Sequence, residues 1–206
     1  MAEPVKFRLI LPPGWVHIDL GETAASQITE FAHTAAKTVE PAHRAVAESF
    51  LLEYLNRTAT DAAAQGGQDL FFPGDPLDGP PTPMSILVAV PPLPPEAGSQ
   101  PRMQALTAFA ASSAESVPVS VGGEPAIRQV RNMPAVIDDD GKVEVPATRT
   151  VTYALWSPGE NSQLITFSGS LLRLNTEDGE YLAEALEFLF DTLIGTVRFE
   201  TEEVAS

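Results

Sequence analysis

The chain has 206 residues, with 28 acidic against 12 basic side chains, a formal net charge of −16 and no cysteine. Its 44% hydrophobic content is enough to fill the core of one domain of this length. The missing cysteines exclude disulfides, thiolate metal sites and thiol nucleophiles, and the negative field excludes nucleic acid as a direct partner.

In residues 5–11, Val5, Phe7, Leu9 and Leu11 alternate with Lys6 and Arg8, which predicts a strand that Pro12-Pro13-Gly14 ends. A second strand follows over 15–20. Thr23 is placed to cap a helix whose apolar stripe is Ile28, Phe31, Ala35 and Val39. Glu40-Pro41 breaks that helix, and a longer one over 42–64 gathers Phe50, Leu51, Tyr54, Leu55 and Ala62 on a common face before Gln65-Gly66-Gly67 stops it. Residues 23–64 are therefore expected to form a helical pair.

A short strand over 69–72, a Pro/Gly/Asp loop over 73–83 and a strand over 84–90 come next. Five prolines in 91–101 predict an extended surface connector, and 102–112 a third helix with Met103, Leu106 and Phe109 or Ala110 inward. Gly122-Gly123 marks a tight hairpin between strands at 117–121 and 125–136, and Asp140-Gly141 a second turn before a strand over 143–156. Another strand spans 164–172, with Ser168-Gly169-Ser170 read as a bulge. The last helix starts near Asn175, carries Leu182, Leu186, Leu189 and Leu193 inward, widened by Tyr181, Ala185 and Phe188, and ends at Gly195. Residues 196–199 close the chain as an edge strand.

This order predicts a single α+β domain over 1–206, an antiparallel meander sheet with helices packed on one face, and a flexible acidic tail over 200–206. No stretch reaches the roughly 20 apolar residues of a membrane span, and the first residues lack the basic and apolar regions of an export signal, so a cytoplasmic location is expected.

The opening Phe7-x-Leu9-x-Leu11-Pro12-Pro13-Gly14-Trp15, the hairpin from Val121 to Arg128 and the ending Phe190-Asp191 to Arg198-Phe199 resemble uncharacterised actinobacterial proteins related to the PsbP-like fold. That group includes the Ran-binding Mog family and some mycobacterial lipoproteins. The resemblance implies a fold and a binding or accessory role. It transfers no functional residue, and the helical pair at 23–64 departs from the compact pattern.

The chemistry-bearing patterns fall short of an active site. Asp138-Asp139-Asp140-Gly141 resembles a calcium loop, but with Gly141 at the sixth position the first and twelfth are Val136 and Ala147. Ser168-Gly169-Ser170 lacks the flanking glycines of a nucleophile elbow, and His33 and His43 lack ligand spacing. No catalytic, metal or cofactor residue is assigned.

Two surfaces remain. Aromatic and polar residues at the junction of sheet and helices, Trp15, His17, Phe50, Tyr54 and Trp156, are expected to bind a partner or a small apolar or amphipathic ligand. Residues 157–206 carry ten acids against Arg173 and Arg198, half of the net charge, and their Glu177, Glu180, Glu184 and Glu187 are expected to form an acidic surface that docks a basic protein. The function expected is that of a non-catalytic interaction or accessory protein.

Overall fold

The computed structural model describes residues 5–74, 83–92, 102–113, 115–137, 143–159, 162–174 and 176–200. The proline-rich connector beyond residue 92, the Asp138 to Gly141 turn, most of the 73–83 loop and the tail beyond Glu200 lie outside the described residues.

The elements in chain order are β1 (Phe7–Arg8), β2 (Trp15–Asp19), α1 (Ala24–Ala36), a 3-10 turn (Pro41–His43), α2 (Arg44–Ala64), β3 (Gly67–Pro73), β4 (Met84–Ala89) and α3 (Arg102–Ala111). There follow β5 (Ser116–Val121), β6 (Glu124–Met133), β7 (Val136–Ile137), β8 (Val143–Val145), β9 (Thr148–Trp156), β10 (Leu164–Leu172), α4 (Glu177–Gly195) and β11 (Arg198–Phe199). Seven strands form one antiparallel sheet in the order β2-β3-β4-β10-β9-β6-β5. Two meanders, β2-β3-β4 and β5-β6-β9-β10, are thus joined along β4 and β10. The α+β class and antiparallel sheet are those expected.

Because side chains alternate across a strand, register assigns every sheet residue to a face. Ile86, Gly169, Val151 and Val130 lie in one cross-strand row, and the buried residues of that face, among them Val88, Phe167, Leu155 and Tyr153, form the larger core with Leu186, Phe190 and Ile194 of α4. The opposite face carries Ile18, Leu70 and Leu87, which pack with Ile28 of α1 and Leu55, Ala59 and Ala62 of α2. Helix α3 joins that second face, where the Gln129 side chain donates to the Phe109 carbonyl and Trp156 Nε1 donates to the Arg102 carbonyl at 3.1 Å. Helices α1 to α3 therefore share one face, as expected of all four, while α4 departs from them and covers the other.

Several local expectations shift for packing reasons. The 5–11 segment pairs as a strand only at Phe7–Arg8, with β11, yet Val5, Phe7, Leu9 and Leu11 all lie against the larger core, and the Phe7 ring meets Phe167 edge-on at 5.2 Å. Thr23 precedes α1 without capping it through its side chain; its hydroxyl accepts from Gln27 Nε2 at 2.8 Å instead. Thr176 does cap α4, accepting from the Gly179 amide at 3.0 Å. The inward stripe of α4 is Ala183, Leu186, Phe190, Leu193 and Ile194, so Tyr181, Leu182 and Phe188 are left exposed, and Met103 of α3 is exposed as well.

Ser168-Gly169-Ser170 is not a bulge. β10 runs in unbroken register with both β4 and β9 through these residues. Gly169 is there because the Phe190 ring of α4 lies where its side chain would be: a Cβ at this position would stand 2.9 Å from two ring carbons. We expect Gly169→Ala to lower the free energy of unfolding by about 1–3 kcal/mol in urea titrations, and Phe190→Leu in the same chain to recover part of that loss in a double-mutant cycle.

Candidate functional site

On the face covered by α4, three strand positions that the alternation reserves for the core carry polar side chains. Arg128 of β6 sits between Ala126 and Val130, and Arg149 and Tyr153 of β9 flank Val151. Register sets Arg128 opposite Tyr153 and Asn132 opposite Arg149. Such groups remain charged under a helix only if they are paired.

Helix α4 supplies the partners from one row, Glu180, Glu187 and Asp191, spaced by whole helical turns. Arg128 donates through Nε and Nη2 to the two Asp191 oxygens at 3.0 and 2.9 Å, and through Nη2 also to Glu187. Arg149 donates to the other Glu187 oxygen at 3.1 Å, to Glu180, and to Asn132 Oδ1 at 3.0 Å. Arg173 completes the chain on Glu180 at 2.9 Å, and the Tyr153 hydroxyl donates to Asp191 at 2.7 Å. Glu187 is thus shared by two guanidiniums, and one line of ion pairs ties α4 to β6 and β9.

The electrostatics follow from that geometry. Burial works against the Arg128 charge, but its bonds to Asp191 and Glu187 outweigh burial and hold the guanidinium charged well beyond its ordinary range. Burial, with the Asp191 bond and charge adding to it, raises the Tyr153 hydroxyl well above its ordinary range against the opposing effect of Arg128. Hydrogen bonds from Arg173 and then Arg149 hold the Glu180 carboxyl below its ordinary value of 4.5.

Beside this network, between α4 and the outer strands, opens a cavity of about 360 Å³ lined by Glu115, Val117, Arg128, Val130, Asn132, Arg149 and Glu187. Its floor is apolar at Val117 and Val130, and its walls are polar.

The five junction residues do not come together. Trp15 packs half-buried against the larger core, while His17 lies on the same sheet face, exposed, stacked on Phe71 at 4.6 Å and bonded to Asp69 at 2.6 Å. Phe50 and Tyr54 stack on each other at 6.2 Å on the outer side of α2, 64% and 48% exposed, and Trp156 sits under the first residue of α3. The space between sheet and helical pair is filled by Ile18, Leu20, Ile28, Leu55 and Leu70, so a ligand there must displace a packed core. Of the acidic row, Glu177 and Glu184 are exposed, whereas Glu180 and Glu187 are held by arginines of the same chain.

Sequence reasoning missed Arg128, Arg149, Tyr153 and Asp191. The signal was present: Arg128 and Arg149 fall in phase with apolar residues of alternating strands, where an unpaired charge would be costly.

No family model matches the sequence, and no curated protein matches it. Among solved structures the fold is similar to the crystal structure of LpqN, involved in cell envelope biogenesis of Mycobacterium tuberculosis, with a TM-score of 0.48 and 9% identity over 97% of this chain and 87% of that one.

The lowered Glu180 carboxyl has a consequence for stability. The folded state binds this proton more weakly than the unfolded chain, so its contribution is present above pH 4.5 and is lost as pH falls through the lowered value. Urea unfolding of the protein and of Glu180→Gln at a series of pH values should show the difference between them narrowing below pH 4.5. A difference that stays constant down to the acid limit would mean that the arginines do not engage the charge.

Proposed function

We propose that this chain is a non-catalytic accessory protein that acts by docking a basic protein along the outer side of α4. The observation that carries the reading is the composition of that side. Tyr181, Leu182 and Phe188 are 68%, 36% and 75% exposed on a helix whose opposite side is fixed to the sheet, and exposed Glu177, Asp178 and Glu184 lie among them. Aromatic side chains on a rigid element supply contact area at little cost in entropy, and the carboxylates around them select a cationic partner. The PsbP-like resemblance, with its accessory and binding proteins, supports the same reading.

Chemistry by the chain itself is less well supported, since the charged groups of the network are spent on one another. Arg128, Arg149 and Arg173 hold Glu180, Glu187 and Asp191, which leaves no carboxylate of that row unpaired to act as a base.

A photo-cross-linking residue placed at Glu184 should capture a protein of basic composition from the native host, and one at Tyr54 on α2 should not capture it. The purified partner should bind more weakly by roughly tenfold at high salt, and Phe188→Asp should cost about 2 kcal/mol or more of binding. Capture that is equal at both positions, or insensitive to salt and to Phe188→Asp, would remove α4 as the docking face.

A further inference from the structure

The cavity beside α4 contains a charge imbalance that the ion-pair network does not resolve. Four charged side chains line it: Glu115, Arg128, Arg149 and Glu187. Within the network, the carboxylates Glu180, Glu187 and Asp191 balance the guanidiniums Arg128, Arg149 and Arg173, all directly bonded. Glu115 stands outside it. Its backbone carbonyl accepts from the Val130 amide at 3.1 Å, which fixes it at the start of β5, but its exposed carboxylate makes no bond within the described residues. The unspent lining charge is therefore one negative charge, in a chain whose overall field is already negative.

The unspent donors are arranged differently. Arg128 uses Nε and Nη2 on Asp191 and Glu187, and neither its Nη1 nor the Asn132 amide nitrogen makes a bond within the described residues. These donors sit on strand positions braced from behind, so they offer hydrogen bonds without an uncompensated positive charge. An anion entering here would meet two guanidiniums already neutralised and one free carboxylate. A cation meets the same groups, but finds in the free carboxylate a partner rather than a repelling charge.

We infer that this cavity is a receptor for one basic side chain of a docked protein: the ammonium or guanidinium pairs with Glu115, the aliphatic stem lies on Val117 and Val130, and a backbone carbonyl of the same segment accepts from Arg128 or Asn132. The lining suits such a stem, because Val117 is 48% exposed and Val130 is buried beside it. The cavity is also continuous with the side of α4 proposed above, since Glu184 is a helical neighbour of both Glu187, which lines the cavity, and Phe188 on the exposed stripe. The inference rests on that docking reading only for what carries the cation, a protein.

The test is a titration of the full chain, followed by backbone amide and arginine side-chain NMR, with acetyl-Gly-Lys-Gly-amide and acetyl-Gly-Arg-Gly-amide. The norleucine and glutamate analogues of the peptide serve as controls. Saturable shifts at Val117, Val130, Asn132 and the Arg128 side chain are expected from the basic peptides alone. Glu115→Gln, at an exposed position, should weaken them at least tenfold, and Val117→Arg, which brings a guanidinium of the chain to the same mouth, should abolish them. Tighter binding of the glutamate peptide, equal binding of the norleucine peptide, indifference to Glu115→Gln, or no saturable shift from either basic peptide would each overturn the proposal. Phe188→Asp should bind the tripeptides as the parent chain does. A cavity that fails this titration while Phe188→Asp still impairs the partner leaves the docking face standing, and the converse leaves the cavity standing without α4.

Discussion

The structure depends on how closely α4 approaches the sheet, and that distance is set where the Phe190 ring rests over Gly169. No side chain stands between them: even a Cβ on residue 169 would intrude on the ring. With the helix seated at this point, Leu186, Leu193 and Ile194 reach the buried side chains of β9 and β10, and the larger core closes. The same seating fixes the azimuth of the helix. One row, Glu180, Glu187 and Asp191, faces the strands β9 and β6, and the row beside it, with Tyr181 and Phe188, faces outward.

The arginines read as a consequence of that seating. A helix side with three carboxylates can lie along a sheet only if the sheet answers with cations, and β6 and β9 do so at Arg128 and Arg149, in the phase that their neighbours use for burial. Replacing such a network with apolar side chains often costs nothing in stability, so its value lies in orientation. Glu187 accepting from two strands at once permits one azimuth and one height for α4. It also keeps one wall of the cavity polar and rigid.

The sequence revealed elements better than faces. Turn chemistry marked the breaks reliably: Glu40-Pro41 between α1 and α2, Gly122-Gly123 between β5 and β6, where both glycines have positive φ, and Gly66, whose φ of 83° stops α2. The period of alternation in β9 assigned Val151, Tyr153 and Leu155 to one side, as observed. Helical faces were harder, because α2 and α4 are apolar around much of their circumference. On α2 the buried positions are small or aliphatic, Leu55, Ala59 and Ala62, and the aromatic pair Phe50 and Tyr54 turns outward. On α4 the need to place Phe190 over Gly169 overrides the leucine spacing. The arginine network was hidden for another reason: the α4 partners of Arg128 and Arg149 are 31 to 63 residues away in sequence, and only register brings them together.

The distribution of charge changes most between sequence and structure. Counted along the chain, residues 157–206 form an acidic pole, but that count leaves out Arg128 and Arg149, which the sheet brings against Glu180, Glu187 and Asp191 from outside the segment. The pole is therefore partly neutralised on its inner side and undiminished on its outer one. Glu177, Asp178 and Glu184 face solvent beside exposed aromatic side chains, so their field is not spent within the molecule. Net charge alone would have favoured any cation along the whole helix. Among the described residues, the outer stripe and Glu115 beside the cavity keep unpaired carboxylates next to apolar surface.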